Sequence, residues 1–450
     1  MPNLTAGIGV VELAPIDTQA LYGYPHVPRV LTGVHDPLFA STLVLDNGQG
    51  RVVIVSLDLL FLDPPTSREI RRRTAEIVKT NESKVFIACT HTHSGPVTTT
   101  LLSWRNDPAV PAPDVTFLKT VAQCVYKSTQ KAMDNIAPVE IRWTAAHALG
   151  VGGNRHSPDG LTDPECGILV VRKTGCGELI AAVVIYGMHP TVLHESSTLV
   201  SSDFPHYVRL ALRKRLRQDL CVVYLNAPCG NQSPRHFTKS NTFGEAERLG
   251  SMLGNSIADA IDRLMDNTDS AHGPVWSGQC NLGGRISAVH LVLRSLPSVN
   301  QSRAALDAAN KRYKELEAEK APRPELRTAE CAIFGAEGAV ELAKAQESGA
   351  VDALLRRYEP FEVQLLTIGD VNLVGLPGEV FTEYSLRIKE RTRAKTYVVS
   401  FVNGEMQGYI VTPEAERDGG YEAANALFAP ESGNILVETV VRMTKDDTRH

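Results

Sequence analysis

The sequence has few cysteines and no cysteine motif. Eight cysteines are scattered through 450 residues, and no two of them form a CxxC pair. Eight is too few for a disulfide-stabilised scaffold of this length, and several of them lie within apolar, strand-like runs. We therefore expect reduced, buried thiols and a cytoplasmic protein.

Long apolar runs and an excess of basic charge are also missing. The longest apolar run, LIAAVVIYGM at 179–188, is about half the length that a membrane span requires. The first residues lack the basic segment and apolar stretch of an export signal. A net charge of −5 gives no bulk attraction for nucleic acid or for an anionic membrane. We expect no nucleic-acid partner and no transmembrane segment, and the oligomeric state stays open.

Short β-branched runs alternate with longer amphipathic stretches along most of the chain. Runs such as RVVIVSLDLL at 51–60 predict strands, and the 3.6-residue spacing of apolar positions at 67–80 predicts a helix. Residues at about 299–348 differ, because they are rich in Ala, Glu and Lys and are broken by APRP at 321–324. This texture predicts an exposed helical hairpin inserted between strands. We expect α/β layers in a single catalytic domain, 1–450, with this insertion.

Polar residues follow several strand-like runs directly, and α/β folds place their sites at such positions. The first of these places, THTHSGP at 90–96, contains His91 and His93. On an extended backbone residues i and i+2 point the same way, so both imidazoles can face one point. Two imidazoles on one rigid element favour tetrahedral zinc binding, and two hydrogen-bonded histidines at a turn are the structural alternative.

A second polar position follows the longest apolar run. His189 ends that run in IYGMHPTVLHE, where a polar ring needs a partner if it is buried. Pro190 prevents simple continuation of the strand, so the chain turns there. By itself His189 reads as a structural histidine. Together with the HxH pair it becomes a candidate third metal ligand, with His194 as a rival.

Two further loops carry candidates. Ser233 lies in LNAPCGNQSPRH at 225–236, a tight loop that is not the GxSxG nucleophile elbow, and the alternative is an ordinary turn serine. Glu379 lies where the Gly-Pro loop of VGLPGEVFTEY passes into a helix. Its carboxylate can complement the helix dipole, or it can complete a mixed nitrogen and oxygen zinc site beside the imidazoles.

Six segments together carry a resemblance to a known family. They are THTHSGP (90–96), GGNRHSP (152–158), GMHPT (187–191), NAPCGNQSP (226–234), LPGEVFT (376–382) and GYIVTPEAERDGGYE (408–422). In this order they resemble the neutral/alkaline non-lysosomal ceramidase family, over nearly the whole chain. The resemblance implies layered mixed β-sheets flanked by helices (αββα-like) and a zinc-dependent hydrolase that cleaves an N-acyl amide bond.

The resemblance also implies roles for individual residues. The implied zinc ligands are His91, His189, Glu379 and Tyr409. Neither spacing nor composition points to Tyr409, and a phenol is an unusual ligand. The chemistry fits, because an amide carbonyl is a poor electrophile and a bound Zn²⁺ both polarises it and acidifies water.

The remaining implied residues act on the substrate. They are His93, Arg155, Ser233 and Tyr421. His93 is the implied acid/base or a neighbour of the metal, and histidine suits proton transfer to a departing amine near neutral pH. Arg155 and Tyr421 lie where charge develops on the carbonyl oxygen. Ser233 matches the family's candidate nucleophile, with water activated by zinc as the competing attacker.

The substrate and several alternatives stay open. The family's better-known lipid enzymes carry a C-terminal immunoglobulin-like domain, whereas about 30 residues follow Tyr421, so we expect a short form without that domain. The expected substrate is a small-molecule or lipid-like N-acyl compound. The alternatives are hydrolysis of an ester or lactone of a soluble sugar-like or polyol compound, and a non-catalytic zinc-binding protein. An amidohydrolase barrel also begins with HxH, but its later strand-end lysine and aspartate pattern is not found.

Overall fold

The structure is a computed structural model, and it describes residues 3–16, 19–266 and 276–445. Within these ranges the strands are β1 Thr5–Glu12, β2 Gly33–Val34, β3 Phe39–Asp46, β4 Arg51–Leu57, β5 Val85–Cys89, β6 Ala137–His147, β7 Gly153–Asn154, β8 Glu165–Lys173, β9 Leu179–Tyr186, β10 Leu199–Val200, β11 Cys221–Asn226, β12 Gln232–Ser233, β13 Leu282–Val289, β14 Phe361–Ile368, β15 Val371–Gly375, β16 Glu379–Val380, β17 Lys395–Val399 and β18 Tyr409–Ile410.

The helices have well-defined bounds. They are α1 Pro64–Val78, α2 Val115–Asp134, α3 Phe204–Arg215, α4 Phe243–Asp266, α5 Val299–Ala318, α6 Arg323–Glu347, α7 Ala350–Tyr358, α8 Thr382–Arg391, α9 Pro413–Asp418, α10 Tyr421–Ala424 and α11 Glu431–Lys445, with short 3-10 turns at Glu82–Lys84 and Leu102–Trp104. Local sequence explains several starts. Asp63 and Asp114, for example, accept hydrogen bonds from the free backbone N–H groups at the first turns of α1 and α2.

Two sheets organise the strands. The larger has the order β11-β9-β8-β6-β1-β3-β4-β5, and the smaller has the order β13-β14-β15-β17. Both are mixed, since antiparallel hairpins such as β3–β4 are combined with parallel pairs such as β4–β5 and β15–β17. The order of the larger sheet leaves β5 and β11 as its two edges.

The larger sheet bends back on itself, and this brings its edges together. Its two halves are joined by a short β1–β6 pairing, in which Thr5 lies opposite Pro138 and Ala6 opposite Ala137. The edge strand β11 lies against β3, β4 and β5, and the Ser56 hydroxyl donates a hydrogen bond to the carbonyl of Tyr224. The loops that follow β5, β9 and β11 therefore meet at one place.

Apolar side chains separate the molecule into four layers. Helices α1 and α2 pack on one half of the larger sheet and α3 and α4 on the other. The inner faces of both halves pack against the smaller sheet, whose far side is covered by α7, α8 and α11. The predicted fold class, mixed sheets flanked by helices, is confirmed.

The predicted insertion at about 299–348 coincides with α5 and α6, which pack side by side. Most of α5 is exposed, as expected, but α6 is partly buried and packs against α10 and the turn at 102–104. Small residues permit this close approach, since Gly335 lies directly against Tyr421. Of the two inserted helices, α6 is therefore packed into the molecule, whereas α5 is mostly exposed to solvent. The single-domain boundary stays a prediction.

Candidate metal centre

The HxH pair lies just beyond the end of β5. The strand ends at Cys89, and His91 has a φ of 67°, a left-handed conformation that residues other than glycine rarely adopt. The extended-strand argument for the pair is therefore wrong in detail. The rings nevertheless meet, since the Nε2 atoms of His91 and His93 lie 3.4 Å apart. Phe401 stacks on His91, with ring centroids 4.0 Å apart.

His189 and Glu379 join this pair from two other loops. The Oε2 atom of Glu379 lies 3.1 Å from His189 Nε2 and 3.5 Å from His91 Nε2. His91, His189 and Glu379 are each at most 4% exposed. The four predicted side chains, counting His93, thus converge from three separate segments on one buried point.

Backbone carbonyls fix the protonation of each imidazole. The Nδ1 atoms donate hydrogen bonds to the carbonyls of Leu60 for His91, Gly23 for His93 and Cys229 for His189, at 3.3, 2.9 and 2.7 Å. Since Nδ1 carries the proton, the Nε2 lone pairs all point at the shared centre. Metal-ligating histidines are oriented in this way.

This electron-rich cluster fits a cation. Lone pairs and a carboxylate oxygen repel one another unless a positive charge lies between them. Burial lowers the pKa of His189 to about 4, assisted by Arg155, and burial lowers the pKa of His93 well below its ordinary value. Burial thus favours the neutral rings of His93 and His189, whose lone pairs can then bind a cation. Neighbouring donors on a tetrahedral Zn²⁺ lie about 3.3 Å apart, given bond lengths of about 2.0–2.1 Å. The separations of Glu379 Oε2 from the Nε2 atoms of His189 and His91, 3.1 and 3.5 Å, lie close to this value.

Tyr409 is brought beside Glu379 by a short parallel pairing. Strands β16 and β18 place Glu379 directly opposite Tyr409. The Tyr409 ring is 5% exposed, and burial raises the pKa of its phenol well above the ordinary value. Sequence spacing could not show this neighbour relation, because thirty residues of chain separate the two partners.

Arg155 is held beside Tyr409 by a residue that the sequence analysis missed. Its Nε atom lies 2.5 Å from Oε1 of Glu422, and its Nη2 donates to the carbonyl of Gly230 at 2.6 Å. The guanidinium carbon lies 5.5 Å from the centroid of the Tyr409 ring. Glu422 directly follows Tyr421 in the quoted segment, so proximity in sequence was the one available signal. Its carboxylate keeps the buried Arg155 charged.

A cavity of about 270 Å³ opens onto this centre. Among the residues that line it are His93, Arg155, Ser233, Tyr409 and Tyr421. His91, His189 and Glu379 lie behind this lining, in the buried part of the site. The structure thus brings together every residue that the sequence analysis named, with the substrate-facing ones on the cavity side.

The rival histidine does not join the cluster. His194 also lines the cavity, but its Nδ1 atom lies 3.1 Å from Glu195 Oε2. Its ring stacks on Tyr24, with centroids 5.6 Å apart. His189, and not His194, is therefore the third histidine of the converging group.

Comparison with known proteins identifies the family and the fold of this chain. Residues 6–234 match the neutral/alkaline non-lysosomal ceramidase N-terminal family. Neutral ceramidases of Drosophila pseudoobscura pseudoobscura and Drosophila melanogaster are each 22% identical over 98% of this chain and 74% of their own length. The crystal structure of the neutral ceramidase from Pseudomonas aeruginosa superposes with a TM-score of 0.74 at 16% identity, over 99% of this chain and 74% of that one.

The family match makes the protein a hydrolase, and its buried histidines are a group that could hold a metal ion. More particularly, the chain belongs to the neutral/alkaline non-lysosomal ceramidase family, whose members hydrolyse amide bonds. The resemblance drawn from the six sequence segments is confirmed.

Proposed function

We propose that this protein is a zinc-dependent amidase that cleaves the C–N bond of an N-acyl substrate. The observation that carries the proposal is the convergence of imidazole and carboxylate donors at the floor of a cavity that also holds Arg155 and Tyr421. Nitrogen and oxygen donors in a tetrahedral arrangement are typical of catalytic zinc sites. Family membership supports the same bond type.

The proposed metal ligands are His91, His189, Glu379 and Tyr409. Glu379 Oε2 lies 3.5 Å from His91 Nε2 and 3.1 Å from His189 Nε2. Strand pairing brings Tyr409 beside Glu379. When bound, Zn²⁺ would polarise the scissile carbonyl and acidify a water molecule. The chain itself supplies a rigid frame, because each histidine is anchored by a carbonyl.

His93 is the proposed proton carrier. Unlike His91 and His189 it lines the cavity, so a substrate amine can approach it. Gly23 holds its Nδ1 proton, which leaves Nε2 free to take a proton from the attacking group and to return one to the leaving amine. Arg155 and Tyr421 are donors placed for the carbonyl oxygen as negative charge develops there.

Water is the proposed attacking group in preference to Ser233. A serine nucleophile needs a base within hydrogen-bond reach. In the described part of the chain, the contact found for the Ser233 hydroxyl is the backbone N–H of Arg235, at 3.2 Å. No imidazole lies against that hydroxyl among the described residues. Ser233 then contributes to the cavity wall and contacts the substrate.

A panel of substrates tests the proposal. We expect the zinc-loaded protein to hydrolyse short N-acyl amides, and to do so faster than long-chain ceramide, since a cavity of about 270 Å³ cannot enclose two long chains. Matched esters and lactones complete the panel. Product release followed by mass spectrometry gives the rates. Failure to cleave any N-acyl amide, with stoichiometric zinc present, would refute the amidase assignment.

A further inference from the structure

The cavity wall carries more positive charge than its own carboxylates balance. Five cations line it, and the lining contains one acidic residue, Glu195. The cations are Arg155, Arg235, Lys239, Arg323 and Arg327. Building on the proposed function, we infer that the substrate is an N-acyl compound that carries an anionic group, which Arg235 and its cationic neighbours bind.

Two of the five cations are already neutralised. Arg155 pairs with Glu422, as described above. Arg327 pairs with Glu195 at 3.1 Å and with Glu330 at 2.6 Å. Because both charges are balanced by these ion pairs, neither arginine is counted toward the anion site.

Arg235 has no such partner. Its Nη1 donates to the carbonyl of Arg155 at 3.1 Å, and its Nη2 lies 3.7 Å from the thiol sulfur of Cys331. Within the described ranges no carboxylate lies at ion-pair distance from it. The negative charge of Glu422 raises the pKa of Arg235, but that carboxylate forms its ion pair with Arg155. A partly buried guanidinium that lacks a counter-ion is a favourable place for a carboxylate or sulfonate.

Two further cations line the cavity and are exposed. They are Arg323, at the start of α6, which donates to the side-chain oxygen of Asn241 at 3.0 Å, and Lys239. Neither has an ion pair among the described residues. Together with Arg235 they give the cavity lining three cations without an ion pair among the described residues. Such an excess of positive charge raises the local concentration of anions.

Part of the cavity lining is apolar or aromatic. Pro25, Val27 and Phe334 face the same cavity, and Phe334 comes from the inserted helix α6. A lining that contains both cations and apolar side chains suits an amphipathic ligand of modest size, which has an acyl chain and an anionic group. The insertion thus contributes to substrate specificity.

A matched set of substrates tests the inference. N-hexanoylglycine and N-hexanoyltaurine carry a carboxylate and a sulfonate, N-succinylbutylamine carries its carboxylate on the acyl side, and N-hexanoylglycinamide is the neutral reference. We expect kcat/KM for at least one anion to exceed that of the neutral amide by about tenfold or more. Arg235→Gln should reduce that ratio to near one, whereas Arg235→Lys should largely keep it. The ratio should also fall as ionic strength rises.

Binding measurements separate this inference from the proposed activity. If none of the four is hydrolysed, calorimetry with the zinc-loaded protein still decides. Tighter binding of an anion than of the neutral amide, lost in Arg235→Gln, supports the anion site although the amidase proposal fails. Equal kcat/KM or equal affinity for charged and neutral compounds overturns the inference. A preference that persists unchanged in Arg235→Gln also overturns it.

Discussion

The ion pair between Arg155 and Glu422 permits a quantitative prediction about stability. Burial by itself would raise the pKa of the Glu422 carboxyl, but Arg155 and then His156 lower it to about 2 from an ordinary value of 4.5. At about 1.4 kcal/mol per pKa unit, the carboxylate contributes about 3 kcal/mol to the free energy of unfolding at pH 7. We therefore expect Glu422→Gln to lower that free energy by about 3 kcal/mol, within the usual range for breaking a buried pair.

The pH dependence has a definite sign. Because the folded-state pKa lies below the unfolded value, the stabilisation is complete above about pH 4.5 and is lost as the pH falls toward 2. At pH 3.5 the gap between wild type and Glu422→Gln should have narrowed to about 2 kcal/mol. Urea denaturation of the metal-free proteins, followed by tryptophan fluorescence, measures both values.

A matched control and a clear refutation accompany this test. Glu414 is an exposed carboxylate, so Glu414→Gln should change the free energy of unfolding by less than about 0.5 kcal/mol. A gap below about 1 kcal/mol for Glu422→Gln at pH 7, or a gap that widens on acidification, would refute the reasoning.

Three further predictions concern the site. Gly23→Ala should retain the metal but lower kcat at least tenfold, because its Cβ would lie 2.5 Å from His93 Nδ1; metal content and rate are measured on one preparation. Ser233→Ala should keep kcat within about tenfold of wild type if water attacks, and a loss of about a thousandfold or more would instead identify a nucleophile. His189→Ala should abolish stoichiometric metal binding in elemental analysis, whereas His194→Ala should retain it; equal metal content in the two variants would contradict the assignment of the third histidine.

Much of the larger sheet could be predicted because its strands and helices have strong local patterns. The strand predicted within 51–60 matches β4, and the helix predicted at 67–80 overlaps most of α1. Strand β1, with the sequence TAGIGVVE, was missed because two glycines dilute its pattern. Those glycines are required by packing, since the backbone of α2 passes directly against Gly7 and Gly9.

Some residues of the candidate site could likewise be predicted from the sequence, and others could not. His91, His93 and His189 could be predicted as site residues because each follows an apolar run. Tyr409 depends on the β16–β18 pairing, which joins two-residue strands that have no periodicity to detect. That Arg235 has no ion pair among the described residues depends on which side chains surround it in space. No linear pattern encodes these relations, because they arise from tertiary packing.

The central claim is that the buried imidazoles and Glu379 hold a catalytic metal. The most direct measurement is elemental analysis of zinc in wild type, Glu379→Ala and the exposed control Glu414→Ala, with amidase activity measured on the same samples. We expect wild type and Glu414→Ala to contain about one zinc per chain and to be active as amidases. We expect Glu379→Ala to lose both the zinc and the activity. Undiminished zinc and activity in Glu379→Ala would contradict it.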